Sequence, residues 1–305
     1  MFGLVRDAFA GKTTLPYLTG VALVVGAGFV FSFTALFFRA LDDATDWQFL
    51  FFRGAGASVM LTLLVFLRRK SRPVQRDAVN WRSLLAGLLL ATMSMLFILS
   101  LARTTVATAV FLQSAAPFSG ALFGWLLLRE RVDMRTWAAM AVAIVGVTIM
   151  VGTGVGEGSA SGIILAAILP VLLGLYNVLV KTAKGSDPLV PALVGSIILV
   201  IGATIVAVGG GGLDVTGQDA LLGLAAGGFL LAGGLPLFNL GHMSVPTAQV
   251  SILLLVEVVL APFWVWIWPG ERPANGILIG GAIVLTAVVW LAVSTNEQPA
   301  TLPRS

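Results

Sequence analysis

The sequence predicts an all-α membrane protein with ten transmembrane helices, arranged as two five-helix repeats of opposite orientation. Hydrophobic residues make up 58% of its 305 residues and charged residues only 10%, whereas about 25% of the residues in soluble domains are charged. Apolar runs of about 20 residues, each long enough to cross a bilayer as a helix, recur along the whole chain. Two matching stretches, one in each half, indicate an internal duplication.

Ten apolar runs give the predicted spans. The first run follows Arg6 and Lys12. It is too long for the hydrophobic region of a signal peptide, so we expect it to be a retained helix. The expected ranges are 16–38, 47–67, 82–101, 105–128, 135–152, 161–183, 189–209, 218–240, 244–268 and 275–294.

The duplicated stretches are Thr104–Arg131 and Ser244–Arg272. Each begins with a Val-x-Thr-Ala sequence, carries a proline within its apolar run (Pro117 and Pro262), and ends with a tryptophan five residues before a Glu-Arg pair. A glycine- and serine-rich link at 152–162 separates the halves, so we expect repeats at 1–155 and 156–305. Each repeat holds five spans. Because five is odd, the second repeat crosses the membrane in the opposite direction.

Loop charges predict the orientation of the chain. Lys and Arg gather at the termini and in the loops after the second, fourth and sixth spans, whereas the other side has only Arg39, Arg103 and Arg272. The positive-inside rule therefore places both termini in the cytoplasm. We expect a multi-pass protein of the cell inner (plasma) membrane that contacts the lipid bilayer and is a monomer or a homodimer.

Composition also excludes several function classes. The chain has no cysteine and a single histidine, His242, which excludes disulfides, thiolate nucleophiles and multi-histidine metal sites. Gly11-Lys12-Thr13 lacks the earlier glycine that a phosphate-binding loop needs. The basic residues lie in short loops beside the spans, where they set topology and do not form a nucleic-acid-binding patch. We therefore predict no enzymatic activity, no cofactor, no metal and no nucleic acid partner.

Two ionisable residues, Arg53 and Glu257, stand out within the predicted spans. A charge in the membrane interior is costly, so each is a candidate for function. Arg53 lies about two turns from the outer end of its span, and we interpret it as extending to the outer surface. Glu257 is near the centre of the ninth span and cannot reach the surface. Gln113 lies about one turn before the equivalent position in the first repeat. Gln113 and Glu257 either face a common cavity or only join helices by hydrogen bonds.

These features resemble the drug/metabolite transporter superfamily, specifically its EamA-type exporters, over the whole chain. The family's repeat ends with a segment like L-E-P-x-x-x-x-x-x-A-W-L-x-L-G-E-R. Glu257 matches its mid-span glutamate, and Arg53 matches an arginine early in the family's second helix. The remaining matches are Trp125, Trp266, Glu130 and Glu271. The chain departs from the pattern at Ala116 and Val258, where the family has glutamate and proline.

The resemblance implies ten helices, alternating access and export of small metabolites or amphipathic compounds. Within the family, the chain looks most like the YddG-like branch, which exports amino acids. We therefore expect a secondary transporter that exports small amphipathic metabolites, above all amino acids including aromatic ones. A multidrug or organic cation exporter is the alternative, because Glu257 could bind a cation. Phosphorylated substrates rank lower, because Arg53 is the only basic residue that we expect near the cavity.

A substrate cavity is expected between the repeats near the bilayer midplane. Aromatic and methionine side chains suit varied apolar groups, and a few polar groups would orient the charged ends of a substrate. The predicted substrate-binding residues are Phe29, Phe31, Ser32, Thr34, Met93, Met95, Phe97, Gln113, Tyr176, Asn177, Asn239, Gln249, Ser251 and Glu257. We expect Glu257 either to carry a coupling proton or to bind a substrate ammonium group.

Overall fold

The computed structural model describes residues 15–69, 80–104, 106–152, 159–183, 187, 189–209, 212–268 and 275–295. These residues are almost entirely helical, which confirms the predicted all-α class. In chain order the elements are α1 Tyr17–Phe31, α2 Thr34–Arg39, α3 Asp46–Arg69, α4 Trp81–Arg103, α5 Val106–Gln113, α6 Ala116–Leu128, α7 Met134–Gly152, α8 Ala160–Thr182, α9 Leu189–Gly209, α10 Gly217–Ala225, a π-helical turn Ala226–Leu231, α11 Ala232–His242, α12 Thr247–Leu253, α13 Leu255–Ile267 and α14 Asn275–Thr295.

Within the described residues, seven helical segments are long and apolar enough to cross a membrane. They are Tyr17–Arg39, Asp46–Leu67, Trp81–Arg103, Ala160–Thr182, Leu189–Gly209, Gly217–His242 and Thr247–Ile267. Shorter apolar helices cover Ala116–Leu128, Met134–Gly146 and Leu278–Leu291. The protein is therefore a multi-pass helical membrane protein, while a total of ten crossings stays a prediction.

Local sequence sets where several helices begin. Before α4, Asn80 Oδ1 accepts the N–H of Ser83 at 2.9 Å, and Ser83 Oγ accepts the N–H of Asn80 at 3.0 Å. This capping box satisfies two backbone donors that the first turn of a helix otherwise leaves unpaired. Ser159 and Thr216 cap α8 and α10 more simply, each by accepting one backbone N–H.

Three apolar segments are each broken into two helices, at residues 32–33, 114–115 and 254. Pro117 lies in the first turn of α6, where its missing N–H costs nothing, so it favours a break just before it. Pro262 lies inside α13, and the nearby break falls about two turns earlier. A broken helix leaves backbone groups unpaired, and at membrane depth this is tolerated only against protein or a cavity.

The helices pack in pairs. The main partners are α3 with α9, α4 with α8 and α9, α1 with α11, α6 with α8 and α12, and α7 with α14. The crossing of α6 and α12 is close because of Gly120: a Cβ there would lie 2.6 Å from Ser251 Oγ. Small residues at such crossings let helix backbones approach in membranes.

The helices α4 and α8 run antiparallel, and their paired ends define two opposite faces of the bundle. At one face, Arg82 Nη1 donates to the carbonyl oxygen of Thr182 at 2.9 Å. At the other face, Ser159 N donates to the carbonyl oxygen of Arg103 at 2.9 Å. We call these the Thr182 face and the Arg103 face.

Candidate functional site

A cavity of about 150 Å³ lies between the broken helices and their neighbours. Its wall comes from α1 to α6, α8, the π-helical turn, and α11 to α13. Leucine, phenylalanine and methionine side chains dominate the wall, and a few polar groups such as Thr34, Ser94 and Gln113 interrupt it. An apolar cavity with a small number of polar groups is typical of sites that bind small molecules.

Eight of the fourteen predicted site residues line this cavity. They are Phe31, Thr34, Met93, Phe97, Gln113, Tyr176, Ser251 and Glu257. They come from seven helices spread along the chain from α1 to α13, so the fold brings them together. Their contact with a substrate stays a prediction.

The remaining six lie off the wall, and Phe29, Ser32 and Met95 are three of them. Phe29 is 46% exposed and packs edge-on against Trp264. Ser32 is fully buried, and its Oγ accepts the indole N–H of Trp264 at 2.7 Å. Met95 packs into an apolar cluster around Leu199, behind the cavity. These side chains support the wall and do not form it.

The other three, Asn177, Asn239 and Gln249, lie toward the Thr182 face. The hydroxyl of Tyr176 donates to Asn239 Oδ1 at 2.7 Å, and Asn177 Nδ2 donates to Ser251 Oγ at 3.4 Å. Gln249 forms a hydrogen bond toward α1. Asn177 and Asn239 therefore contact wall residues from behind, and Gln249 on α12 is hydrogen-bonded to both α1 and α7.

Arg53 lies in the cavity wall and not at the membrane surface. The residue is 4% exposed, its Nη1 donates to Ser94 Oγ at 3.1 Å, and its Nε has no hydrogen-bond partner among the described residues. The interpretation that Arg53 extends to the outer surface is therefore wrong. The physical reason is close packing: a Cβ on Gly227 would collide with the carbonyl oxygen of Arg53, so the π-helical turn covers α3 here.

Two opposite charges share the cavity. Among the described residues that line it, the charged ones are Arg53 on α3 and Glu257 on α13. Glu257 is half-buried in the first turn of α13, where the helix dipole favours a negative charge. The two side chains attract each other but form no ion pair within 4.0 Å in the described structure.

Sequence reasoning missed part of the wall. The missed residues include Ser94, Phe238 and a set of leucines, namely Leu90, Leu169, Leu173, Leu231 and Leu235. Ser94 is a polar residue inside an apolar run, a signal that could have identified it. The leucines carry no such signal, because leucines that face lipid and leucines that face a cavity look alike in sequence. Within the described residues, no group of three or more His, Asp or Glu could hold a metal ion.

Comparisons with known proteins find similarity to transporters. Residues 18–152 match the EamA-like transporter family. The chain is 27% identical over 258 residues to a riboflavin transporter of Rhizobium johnstonii, across 82% of this chain and 80% of that protein. It is 28% identical over 166 residues to an uncharacterized transporter of Vibrio cholerae, across 53% of each chain.

A solved crystal structure has the same fold, with a TM-score of 0.77 at 15% identity over 90% of this chain and 98% of that one. The family match, the transporter relatives and the shared fold point the same way. The first half of the chain therefore matches an EamA-like transporter domain, and over a larger share of its length the chain is similar to proteins named as transporters.

Proposed function

We propose that this protein is a secondary transporter that exports small amphipathic zwitterions, above all amino acids with apolar or aromatic side chains. The observation that carries the proposal is the placement of Arg53 and Glu257 in one apolar cavity. A guanidinium pairs well with a carboxylate. A carboxylate in turn pairs with an ammonium group, and both attractions strengthen away from water. The surrounding leucine, phenylalanine and methionine side chains would bind the side chain of the amino acid.

Other substrates fit the two charges less well. An organic cation would be attracted by Glu257 but repelled by Arg53. A phosphorylated compound would want a second basic residue, and the described wall offers Arg53 alone. Riboflavin is the second candidate, because a relative named as a riboflavin transporter is 27% identical to this chain. A flavin would use the apolar wall but needs neither charge.

The pairing of helices supports an inverted repeat and hence alternating access. In two inverted repeats spanning 1–155 and 156–305, the second span should pair with the seventh, the fourth with the ninth and the fifth with the tenth. These are the contacts of α3 with α9, α6 with α12 and α7 with α14. The same symmetry relates a contact of the first span with the eighth to a contact of the sixth span with the third. Both contacts occur, as those of α1 with α11 and of α8 with α4. A pseudo-two-fold axis in the membrane plane accounts for this pattern.

The distribution of basic residues supports an inner-membrane orientation with the Thr182 face in the cytoplasm. Five basic residues lie at or beside helix ends of that face: Arg82, Arg129, Arg131, Arg135 and Lys181. The Arg103 face has Arg39 and Arg103 in the described residues. Basic residues are enriched on the cytoplasmic side of membrane proteins.

The proposal is tested by transport in proteoliposomes. We expect saturable flux of radiolabelled phenylalanine that other apolar amino acids inhibit, with little flux of tetraphenylphosphonium or glucose 6-phosphate. Riboflavin is measured in the same vesicles. Flux of riboflavin or of the organic cation without any amino acid flux would remove the zwitterion hypothesis.

Substitutions of the two charged residues test its physical basis. Arg53→Gln and Glu257→Gln should each reduce phenylalanine flux at least about tenfold, which corresponds to about 1.4 kcal/mol of lost binding. Asp46→Asn removes a charge outside the cavity and should leave flux unchanged. If Glu257 carries a coupling proton, the residual flux of Glu257→Gln should ignore a pH gradient. If it binds only the ammonium, apparent affinity should fall while the gradient response persists. Unchanged affinity and pH response would mean that Glu257 only joins helices.

A further inference from the structure

The floor of the cavity lies on its Thr182 side and is built from stacked rings. Tyr176 and Phe238 both line the cavity and stack with ring centroids 6.1 Å apart. Beneath them the ring of His242 stacks on Phe238, with centroids 5.8 Å apart and planes inclined by 4°. The helices α8 and α11 thus close the cavity toward the Thr182 face with a column of three rings.

Polar atoms without partners surround this column. Asn177, His242 and Thr247 are each fully buried. Asn177 Oδ1, His242 Nδ1 and Thr247 Oγ1 have no hydrogen-bond partner among the described residues. His242 Nε2 lies 2.8 Å from the carbonyl oxygen of Asn177, which can only accept, so Nε2 donates and Nδ1 is left as an acceptor.

Buried polar atoms that lack partners are rare, and each calls for an explanation. The packing of α8, α11 and α12 removes all three from water in this conformation. A conformation in which these helices separate would let water or a passing polar substrate satisfy them. Such a conformation would give partners to all three atoms at once.

An ion pair closes the same region at the Thr182 face. Lys181 Nζ lies 2.6 Å from Glu130 Oε1, and the two side chains are 25% and 21% exposed. Glu130 Oε2 also accepts the N–H of Thr247 at 3.0 Å, and Lys181 Nζ donates to the carbonyl oxygen of Val245 at 3.1 Å. Glu130 follows α6, Lys181 lies in the last turn of α8, and Thr247 begins α12. One pair of side chains thus ties together the ends of three helices.

We infer that the substrate path leaves the cavity between α8, α11 and α12 toward the Thr182 face, and that the Glu130–Lys181 pair is the latch that closes it. The inference rests on the proposed transport function but not on the choice of substrate. Glu130 and Lys181 act as positioning residues, because they hold the helix ends and do not touch the cavity. Breaking the pair should let the end of α8 part from the start of α12 and expose Asn177, His242 and Thr247.

The absence of cysteine from the chain allows a direct test. Thr247→Cys places one thiol of similar size behind the latch. Its rate of modification by a membrane-impermeant maleimide is measured in inverted vesicles and in spheroplasts. We expect slow modification in the Thr247→Cys background and a rate about tenfold higher when Glu130→Gln or Lys181→Gln is added. The double substitution should give no further increase, because the two residues act as one contact.

Asp46→Asn in the same background is the matched control. It breaks an ion pair at the opposite face, where Arg103 Nη1 lies 3.6 Å from Asp46 Oδ2. We expect it to leave the rate of modification unchanged. Size-exclusion chromatography confirms that each variant is folded, and Lys181→Gln tests the latch independently if Glu130→Gln does not fold. An unchanged rate in both latch variants, or an equal rise in Asp46→Asn, would overturn the inference. No substrate is needed, so a wrong substrate assignment leaves the outcome unaffected.

Discussion

Glu130 keeps its negative charge although its side chain is largely buried. Burial raises the pKa of its carboxyl group. The positive charge of Lys181, and hydrogen bonds from Lys181 and Thr247, outweigh burial and hold that pKa below its ordinary value. The folded contact therefore favours the charged carboxylate, and the contact in turn depends on that charge.

This coupling predicts how stability depends on pH. Because the folded pKa of Glu130 is depressed, its contribution is fully present above the ordinary glutamate pKa of about 4.3 and is lost only as pH falls through the lower folded value. At pH 7, Glu130→Gln should melt about 2 °C below the wild type in detergent, as expected for a partly exposed ion pair. This difference should begin to shrink near pH 4.3 and close at lower pH. A difference that does not change with pH would contradict the role of the charge.

The two charges of the cavity show what sequence can reveal about single residues. Glu257 and Arg53 stand out because each interrupts an apolar run, and this identifies both as candidates. The direction of Arg53 is not encoded locally. It depends on the contact with Gly227, which is distant in sequence, and on the hydroxyl of Ser94. Sequence could therefore predict that Arg53 and Glu257 are important, but it could not predict which surface the Arg53 side chain faces.

At the scale of elements, hydropathy locates the apolar segments but not the breaks within them. The predicted spans lie within a few residues of the described helices or pairs of helices. The break at residues 114–115 has a local cause in Pro117, whereas no proline lies beside the breaks at 32–33 and 254. Those two breaks follow from packing around the cavity, which a single segment does not specify. The π-helical turn has the same origin, since it lies where α3 crosses it.

The crossing of the π-helical turn and α3 makes a prediction for two neighbouring glycines. Gly227→Ala should reduce the yield of folded, monodisperse protein sharply, because its Cβ would collide with the carbonyl oxygen of Arg53 and overpacking costs roughly 1–3 kcal/mol or more. Gly228→Ala is the control, since its Cβ would meet nothing closer than 3.7 Å. Fluorescence-detected size-exclusion chromatography compares the two. Equal behaviour of both variants would show that the crossing is looser than described.

At the scale of the whole molecule, sequence predicts an internal repeat and an orientation. The prediction of a repeat rests on matching motifs, and the prediction of orientation rests on loop charges; neither depends on how the helices pack inside the membrane. The arrangement of helices around the cavity is a different matter. It arises from contacts between segments such as α1 and α11 or α4 and α8, which lie far apart in the chain. Sequence could identify eight residues of the cavity wall, because polar, aromatic and methionine side chains stand out in these segments. The leucines of the wall could be identified only from the fold.

Orientation supplies the prediction at this scale. The predicted five spans in each repeat, together with the basic residues on the Thr182 face, predict that a fluorescent reporter that matures only in the cytoplasm is bright when fused after Ser305. The same reporter should be dark when the chain is cut and fused within the 152–162 link, because five crossings place that link outside. Fusion after Arg131 follows four predicted crossings and should be bright again, which controls for expression of shortened chains. A bright link fusion together with a dark fusion after Ser305 would reverse the orientation. Brightness at both sites would instead mean an even number of crossings in the first repeat, and the two repeats would then be parallel and not inverted.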